Sequence, residues 1–294
     1  PPAGDRPDLD DESMQQLMSL GYLSGSGGAP EPGAGHADPK DRVALHNELI
    51  RAGALLAAGD LQNAGAAAAG VLEVDPDNPG ALGLAGVLTV NSDPAQGIDA
   101  LRRAAENAPG SWEIRRNLAN ALHNAGDLPG AAREYRAALD LQPGDPATWF
   151  GLGNVLFAAG DLVQAEPAYR SALELDPDQP AVQAALGTTL GRKGDLAGGR
   201  VLLESALAVD RSMADAWNQL GILKEKGGEL AAARADYRKA LEARPEHADA
   251  LFHAAKVSLR MGEVREAREW LDRLKRAHPA YPLTPVLEQR LAAD

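Results

Sequence analysis

The residues that could ligate a metal or move a proton are few and poorly spaced for it. Histidines occur at His36, His46, His123, His247, His253 and His278. A zinc hydrolase needs two of them four apart on one helix face with a glutamate between, and no pair here has that spacing. They are read as surface or groove histidines. Asp75-Pro76-Asp77 and Asp176-Pro177-Asp178 open like a calcium loop, where alternate carboxylates offer hard oxygen ligands. The twelfth position, which such a loop gives to a bidentate glutamate, is Gly86 after Asp75 and Gly187 after Asp176. No metal site and no cofactor are therefore expected, although acidic turns stacked at a fixed period could hold loosely bound calcium. The glycines at Gly25–Gly28 and Gly33–Gly35 follow no strand pattern, so they are read as linker and not as a phosphate loop. There is no cysteine, which excludes thiol chemistry, disulfides and zinc–thiolate sites. No Ser/His/Asp arrangement is legible either. No catalytic residue is assigned, and the chain is expected not to be an enzyme.

What the chain does carry is a period. Residues 146–179 read PATWFGLGNVLFAAGDLVQAEPAYRSALELDPDQ. Trp149, Leu152 and Gly153 fall at i, i+3 and i+4, the stripe of a first helix. Gly160-Asp161 breaks the pattern, since glycine takes the left-handed dihedral that ends a helix and aspartate caps the next. Ala165, Tyr169 and Ala172 form the stripe of a second helix, and Pro177 lies past its end, where it cannot continue the ladder. The turn glycine recurs at Gly59, Gly126, Gly160, Gly194, Gly228 and Gly262, the last five each 34 residues apart. The terminating proline recurs at Pro76, Pro109, Pro143, Pro177, Pro245 and Pro279, with Arg211 in the missing place. Helices this short cannot bury their apolar faces alone, so the pairs must stack on copies of themselves. Gly199, where the pattern wants alanine, and Arg211 together mark an expected soft joint in the fifth unit.

A 34-residue period carrying W-x2-L-G, G, A-x3-Y-x2-A and P resembles the tetratricopeptide repeat. The resemblance implies an all-α, right-handed α-solenoid of about seven helix-turn-helix units, at 45–78, 79–111, 112–145, 146–179, 180–213, 214–247 and 248–281, with a capping helix in 282–294. Val286, Leu287 and Leu291 are expected to cover the last apolar face. The family's geometry also implies a concave groove lined by the first helices. Carried onto this chain, it assigns a partner-binding set of Arg116, Asn120, His123, Asn124, Phe150, Asn154, Phe157 and Arg192. Glu113, Thr188, Asp215, Asn218, Glu225, Lys226, Phe252, Lys256 and Arg260 stand at the corresponding places. Exposed phenylalanines beside asparagines suit a peptide, because rings supply contact area and amides satisfy an extended backbone. Arg116 and Asn120 match two positions of the family's carboxylate clamp, but Ala181 and Ala185 stand where its basic residues should follow.

Residues 1–44 differ in kind. Residues 8–23, DLDDESMQQLMSLGYL, read as a short amphipathic helix over about 9–21, and a Gly/Pro-rich linker follows. Met14, Leu17, Met18, Leu20, Tyr22 and Leu23 give a leashed apolar segment that could seat in the groove of the same molecule or of the next. A repeated head-to-tail contact of that kind would build a filament. Leu17–Leu23 followed by Asp38–Arg42 resembles the region after the catalytic domain in bacterial sulfatases with tetratricopeptide tails. That resemblance implies an accessory tail of a secreted enzyme and favours the cell envelope or extracellular space over the cytoplasm. The chain opens on Pro1 with no basic-then-apolar leader in view, and the expectation is either that a segment has been removed by processing or that the sequence is an expressed piece. A net charge of −13 argues against nucleic acid or an anionic membrane as main partner, and no apolar run reaches the length of a membrane span. The expected partner is a protein or peptide, a second copy of the chain included.

Overall fold

The computed structural model describes residues 39–293. The amphipathic segment with Met14, Leu17, Met18, Leu20, Tyr22 and Leu23, and with it the sulfatase-like motif at 17–23, lies outside the described residues. Those described form fifteen α-helices and no strand, an α-solenoid of helix pairs. They divide into two compact units that meet between Ala159 and Gly160. The first unit contains α1 (Pro39–Ala57), α2 (Leu61–Val74), α3 (Pro79–Thr89), α4 (Pro94–Asn107), α5 (Trp112–Asn124), α6 (Leu128–Leu141) and α7 (Pro146–Ala158). The second contains α8 (Leu162–Leu175), α9 (Pro180–Lys193), α10 (Leu196–Val209), α11 (Ala214–Lys226), α12 (Leu230–Ala243), α13 (Ala248–Arg260), α14 (Val264–Ala277) and α15 (Thr284–Ala293). No helix among the described residues is long and apolar enough to cross a membrane. The first helix starts at Pro39, earlier than the expected Leu45, because the repeat period is weakest there.

The turns are built as the glycine series implies. Gly59, Gly126, Gly160, Gly194, Gly228 and Gly262 all take positive φ, from 78° to 100°. At Gly126 the reason is visible in the hydrogen bonds. Its N–H donates to the His123 carbonyl at 2.9 Å, and the Asp127 N–H donates to the Leu122 carbonyl at 2.9 Å. This paired closure satisfies two orphan carbonyls of α5 and requires a left-handed residue at the joint. The next residue then starts the second helix. Asp60, Asp93, Asp127, Asp161 and Asp195 each cap their helix by accepting the backbone N–H three residues on. Glu229 and Glu263 hold the same place but make no such bond, one methylene longer than the geometry fits.

A further tie repeats without being evident in the sequence. The fourth residue of a unit sends a side-chain N–H back to the carbonyl six residues earlier. Arg115 reaches Pro109 at 3.2 Å, Trp149 reaches Pro143 at 2.9 Å, Gln183 reaches Pro177 at 3.0 Å and Trp217 reaches Arg211 at 3.0 Å. Three different side chains thus satisfy one backbone group in each inter-unit turn. Arg211 can replace proline because this bond uses its carbonyl, which both residues have.

The cores consist of alanine, leucine and one ring per regular unit. Tyr135, Tyr169 and Tyr237 are buried, as are Ala131, Ala138, Ala165, Ala172, Ala233 and Ala240. Where the tyrosine is missing, Leu203 and Leu271 fill the place. Glycines allow close approach against these rings. A Cβ on Gly151 would stand 2.5 Å from Tyr135 Cζ, and one on Gly221 would stand 2.5 Å from Tyr237 Cε1. The fifth unit departs from the expected soft joint, since a Cβ on Gly199 would lie 2.6 Å from the Gly187 carbonyl oxygen. Gly199 brings α9 and α10 into near backbone contact, which is tight packing. The last helix differs in part as well. Leu287 and Leu291 are buried, but Val286 is 46% exposed, because it precedes the buried stripe of α15 by one residue and so points away from it.

Candidate functional site

In the first unit the expected partner-binding residues divide between α5 and α7. Asp145 caps α7, accepting the Thr148 N–H at 2.9 Å and the Thr148 hydroxyl. The same carboxylate takes Arg116 Nη1 at 3.2 Å, and the Arg116 guanidinium lies 5.0 Å from the Trp112 ring centre. Arg116 therefore ties α5 to the start of α7, with both partners of the ion pair mostly buried. A lone clamp cation would be presented to solvent instead. Asn120 is exposed, and its Oδ1 accepts the hydroxyl of buried Tyr135. Burial pushes that phenol up to about 12, with the Arg116 charge pulling the other way.

His123 is half-buried and Asn124 exposed at the end of α5. Phe150, Asn154 and Phe157 sit at i, i+4 and i+7 of α7, one face of the helix. All three are half-buried, so the phenylalanines are not the exposed rings expected from sequence. Most of their area is already covered by neighbours within the fold, and only the remainder faces out. Arg192 lies in the second unit, exposed at the end of α9. Glu113, Asn218, Glu225 and Phe252, also assigned to the groove, are buried. Phe252 packs edge-on against His253 at 5.4 Å and beside Tyr281 at 5.7 Å, and Glu113 accepts the Ser111 hydroxyl at 3.0 Å. A rule that assigns whole positions to a groove misses such local packing.

The second unit contains the charge constellation that sequence reading did not find. Glu225, with its side chain 6% exposed, accepts Lys256 Nζ at 2.8 Å, Arg260 Nη1 at 2.7 Å and the Tyr237 hydroxyl at 3.1 Å. His253 Nδ1 lies 3.5 Å away, and its ring stacks on Tyr237 at 5.3 Å. Burial opposes the Glu225 charge, but His253, Lys256 and Tyr237 outweigh it and hold the carboxyl at about 2. The signal available in sequence was Glu225 with Lys256 and Arg260 in the next unit, a spacing set by the repeat and not by one helix. Asp236 is likewise buried and pairs with Lys224 at 2.6 Å.

Among the described residues no group of three His, Asp or Glu side chains could hold a metal ion. Three carboxylates of the acidic turns have side-chain partners: Asp75 accepts Asn78 Nδ2 at 3.2 Å, Asp77 pairs with Arg103 at 2.9 Å, and Asp176 accepts Gln179 Nε2 at 2.6 Å.

Comparison with known proteins fits this architecture. Tetratricopeptide repeat models match residues 82–146, 126–180, 184–244 and 226–283. No curated protein matches the chain, and none of the comparisons supports the sulfatase resemblance. Among solved structures, the chain is similar to the anaphase-promoting complex hetero-tetramer Cut9–Hcn1, with TM-score 0.71 and 16% identity over 86% of this chain and 50% of that one. It thus spans half the length of that relative. It is also similar to PilF of Pseudomonas aeruginosa, with TM-score 0.61 and 21% identity over 71% of this chain and 93% of that one. YrrB, described as a TPR protein with an unusual peptide-binding site, gives TM-score 0.52 and 23% identity over 65% of this chain and 99% of that one. At these identities the likeness is one of fold. With repeat models covering more than half of its length, the chain belongs to the tetratricopeptide repeat family.

Proposed function

We propose that the chain is a non-catalytic scaffold that holds an extended peptide or a helix against α5 and α7. The observation that carries this reading is the stripe Phe150, Asn154 and Phe157 on α7, half-buried and flanked by exposed Asn120 and Asn124. The exposed part of each ring gives a ligand apolar area at low entropic cost, and the amides satisfy its backbone. Tyr135 occupies the Asn120 carbonyl oxygen, so the Asn120 amide N–H groups are the donors left for a ligand carbonyl. The peptide-binding description of YrrB, a chain of the same fold, supports the class of partner and not its identity. A peptide library panned on the full chain tests the site. Selected peptides should bind Phe157→Ala and Asn124→Ala about tenfold more weakly, with helicity intact. Equal affinity for both variants, or no enrichment at all, defeats the assignment.

A further inference from the structure

We propose that the exposed sides of α8 and α10 are a self-association face, through which two copies of the chain pair about a twofold axis. The large aliphatic side chains that the second helices of this unit leave in solvent are confined to these two. Val163 is 72% exposed and Leu175 46% on α8, and Val201 66% and Val209 69% on α10. Pro167 and Ala197 are exposed beside them. The residues stand in register, because 34 places separate Val163 from Ala197, Pro167 from Val201 and Leu175 from Val209. On α12 and α14 the same places hold Ala231, Ala235 and Ala243, then Arg265, Glu269 and Ala277, and no large aliphatic side chain is exposed there. The helix between them, α9, packs against both α8 and α10 and holds them as neighbours.

Helix stability does not account for these residues. A solvent-facing valine forms helix less well than arginine, lysine or glutamate would. Pro167 lies in the interior of α8 and has no N–H to give the Val163 carbonyl four residues back. An exposed apolar patch kept at such a local cost is suited to contact between molecules.

Charge selects a second copy as the occupant. The chain carries −13, so two copies repel unless they meet where charge is sparse or complementary. Apart from buried Glu166, which Arg170 and Lys193 hold, the charged residues of the two helices are Arg170, Glu174, Arg200 and Glu204, and these cancel. A twofold axis running between α8 and α10, parallel to them, lays α8 of one copy on α10 of the other at equal height. Val163 then comes level with Ala197, Pro167 with Val201 and Leu175 with Val209. Arg170 and Glu204, also 34 places apart and both exposed, come level as an oppositely charged pair, which symmetry repeats. Glu174 comes level with Ala208 and not with a like charge. At the edges Asp161 comes level with Asp195 and Asp176 with Asp210, but each carboxylate is turned onto its own chain, accepting an N–H of Gln164, Gly198, Gln179 and Ser212 respectively. A contact of this kind closes at two copies, unlike a head-to-tail filament. Helices of 14 residues are about 21 Å long, and two abreast offer on the order of 400 Å² per copy, about half of a standard interface, so the dimer is a weak one.

Sedimentation velocity of the full chain from micromolar to submillimolar concentration tests the face. Wild type should pass from monomer to dimer and no further. Val201→Glu should weaken association about tenfold, whereas Val74→Glu, at another exposed valine on α2, should leave it unchanged. Glu204→Arg and Arg170→Glu should each stay monomeric alone, and their equimolar mixture should recover the dimer, because each copy then faces the opposite charge. Leu17→Asp separates this face from the leashed amphipathic segment and should change nothing. The proposal is overturned by a monomer throughout, by species larger than a dimer, by undiminished association of Val201→Glu, by loss of the dimer in Val74→Glu or Leu17→Asp, or by a mixture that stays monomeric.

Discussion

Glutamine at position 225 should destabilise the second unit near neutral pH and lose that effect in acid. The side chain is 6% exposed and its carboxyl is held at about 2, against an ordinary 4.5. A tenfold change in proton affinity is worth about 1.4 kcal/mol, so the difference amounts to about 3 kcal/mol of stabilisation. A carboxyl whose folded value is depressed contributes this in full above its unfolded value. The contribution falls away as pH drops from about 4.5 towards 2. Glu225→Gln keeps an acceptor for the Tyr237 hydroxyl and keeps the volume, so the change isolates the charge that Lys256 and Arg260 face. Urea unfolding of the full chain, followed by circular dichroism at neutral and at acidic pH, measures the gap between wild type and variant. Repeat arrays need not unfold in one step, so amide exchange on α11 and α13 should accompany it. The gap should be about 3 kcal/mol at neutral pH and nearly closed at the acid end. A gap of the same size at both ends would show that packing, and not charge, is what Glu225 contributes. No gap at neutral pH would show that its cations gain as much from water.

Three further perturbations follow from the packing. Gly151→Ala puts a Cβ 2.5 Å from Tyr135 Cζ and should cost about 1–3 kcal/mol in thermal unfolding, partly recovered by Tyr135→Leu in the same chain. Glu229→Asp should gain about 0.5–1 kcal/mol by giving α12 the cap that Asp127 and Asp195 provide elsewhere, at the loss of an exposed pair with Arg200 that is worth little. Asn120→Ala should destabilise the first unit by about 1–3 kcal/mol because it orphans the buried Tyr135 hydroxyl, and Asn120→Ala with Tyr135→Phe should recover most of that in a double-mutant cycle.

The fold was legible because its determinants are local and repeated. Gly126 and Pro143 mean the same thing in each unit, and six copies of a turn glycine outweigh any single ambiguous window. The site was less legible because it depends on differences between copies. Phe150 and Phe157 are apolar at positions that the repeat leaves to the partner, yet how far each sinks is set by side chains on other helices. The Glu225 cluster is assembled from α11, α12 and α13, with no short-range pattern to announce it. The carbonyl tie made by Arg115, Trp149, Gln183 and Trp217 was hidden for another reason: the function repeats while the residue type does not. Val286 was misplaced by one residue on α15, which is enough on a helix to turn a side chain from core to solvent.

The buried tyrosines show how core and surface constrain each other in this family member. A phenol in an alanine-rich core needs an acceptor, since an unsatisfied buried hydroxyl costs about as much as several exposed contacts provide. In the third repeat the acceptor is Asn120, at the ninth position and exposed on α5. In the sixth unit the ninth position is Ile222, and Tyr237 turns to Glu225 at the twelfth. That exchange brings a carboxylate into the interior, which in turn requires cations, and Lys256 and Arg260 come from the following helix pair. One apolar residue at a surface position is thus linked to a buried carboxylate and to cations on the next unit. The two compact units then differ in chemistry, with amides and half-buried rings on α5 and α7 in one and a buried carboxylate held by the cations of α13 in the other, while their glycine turns and tyrosine cores remain the same.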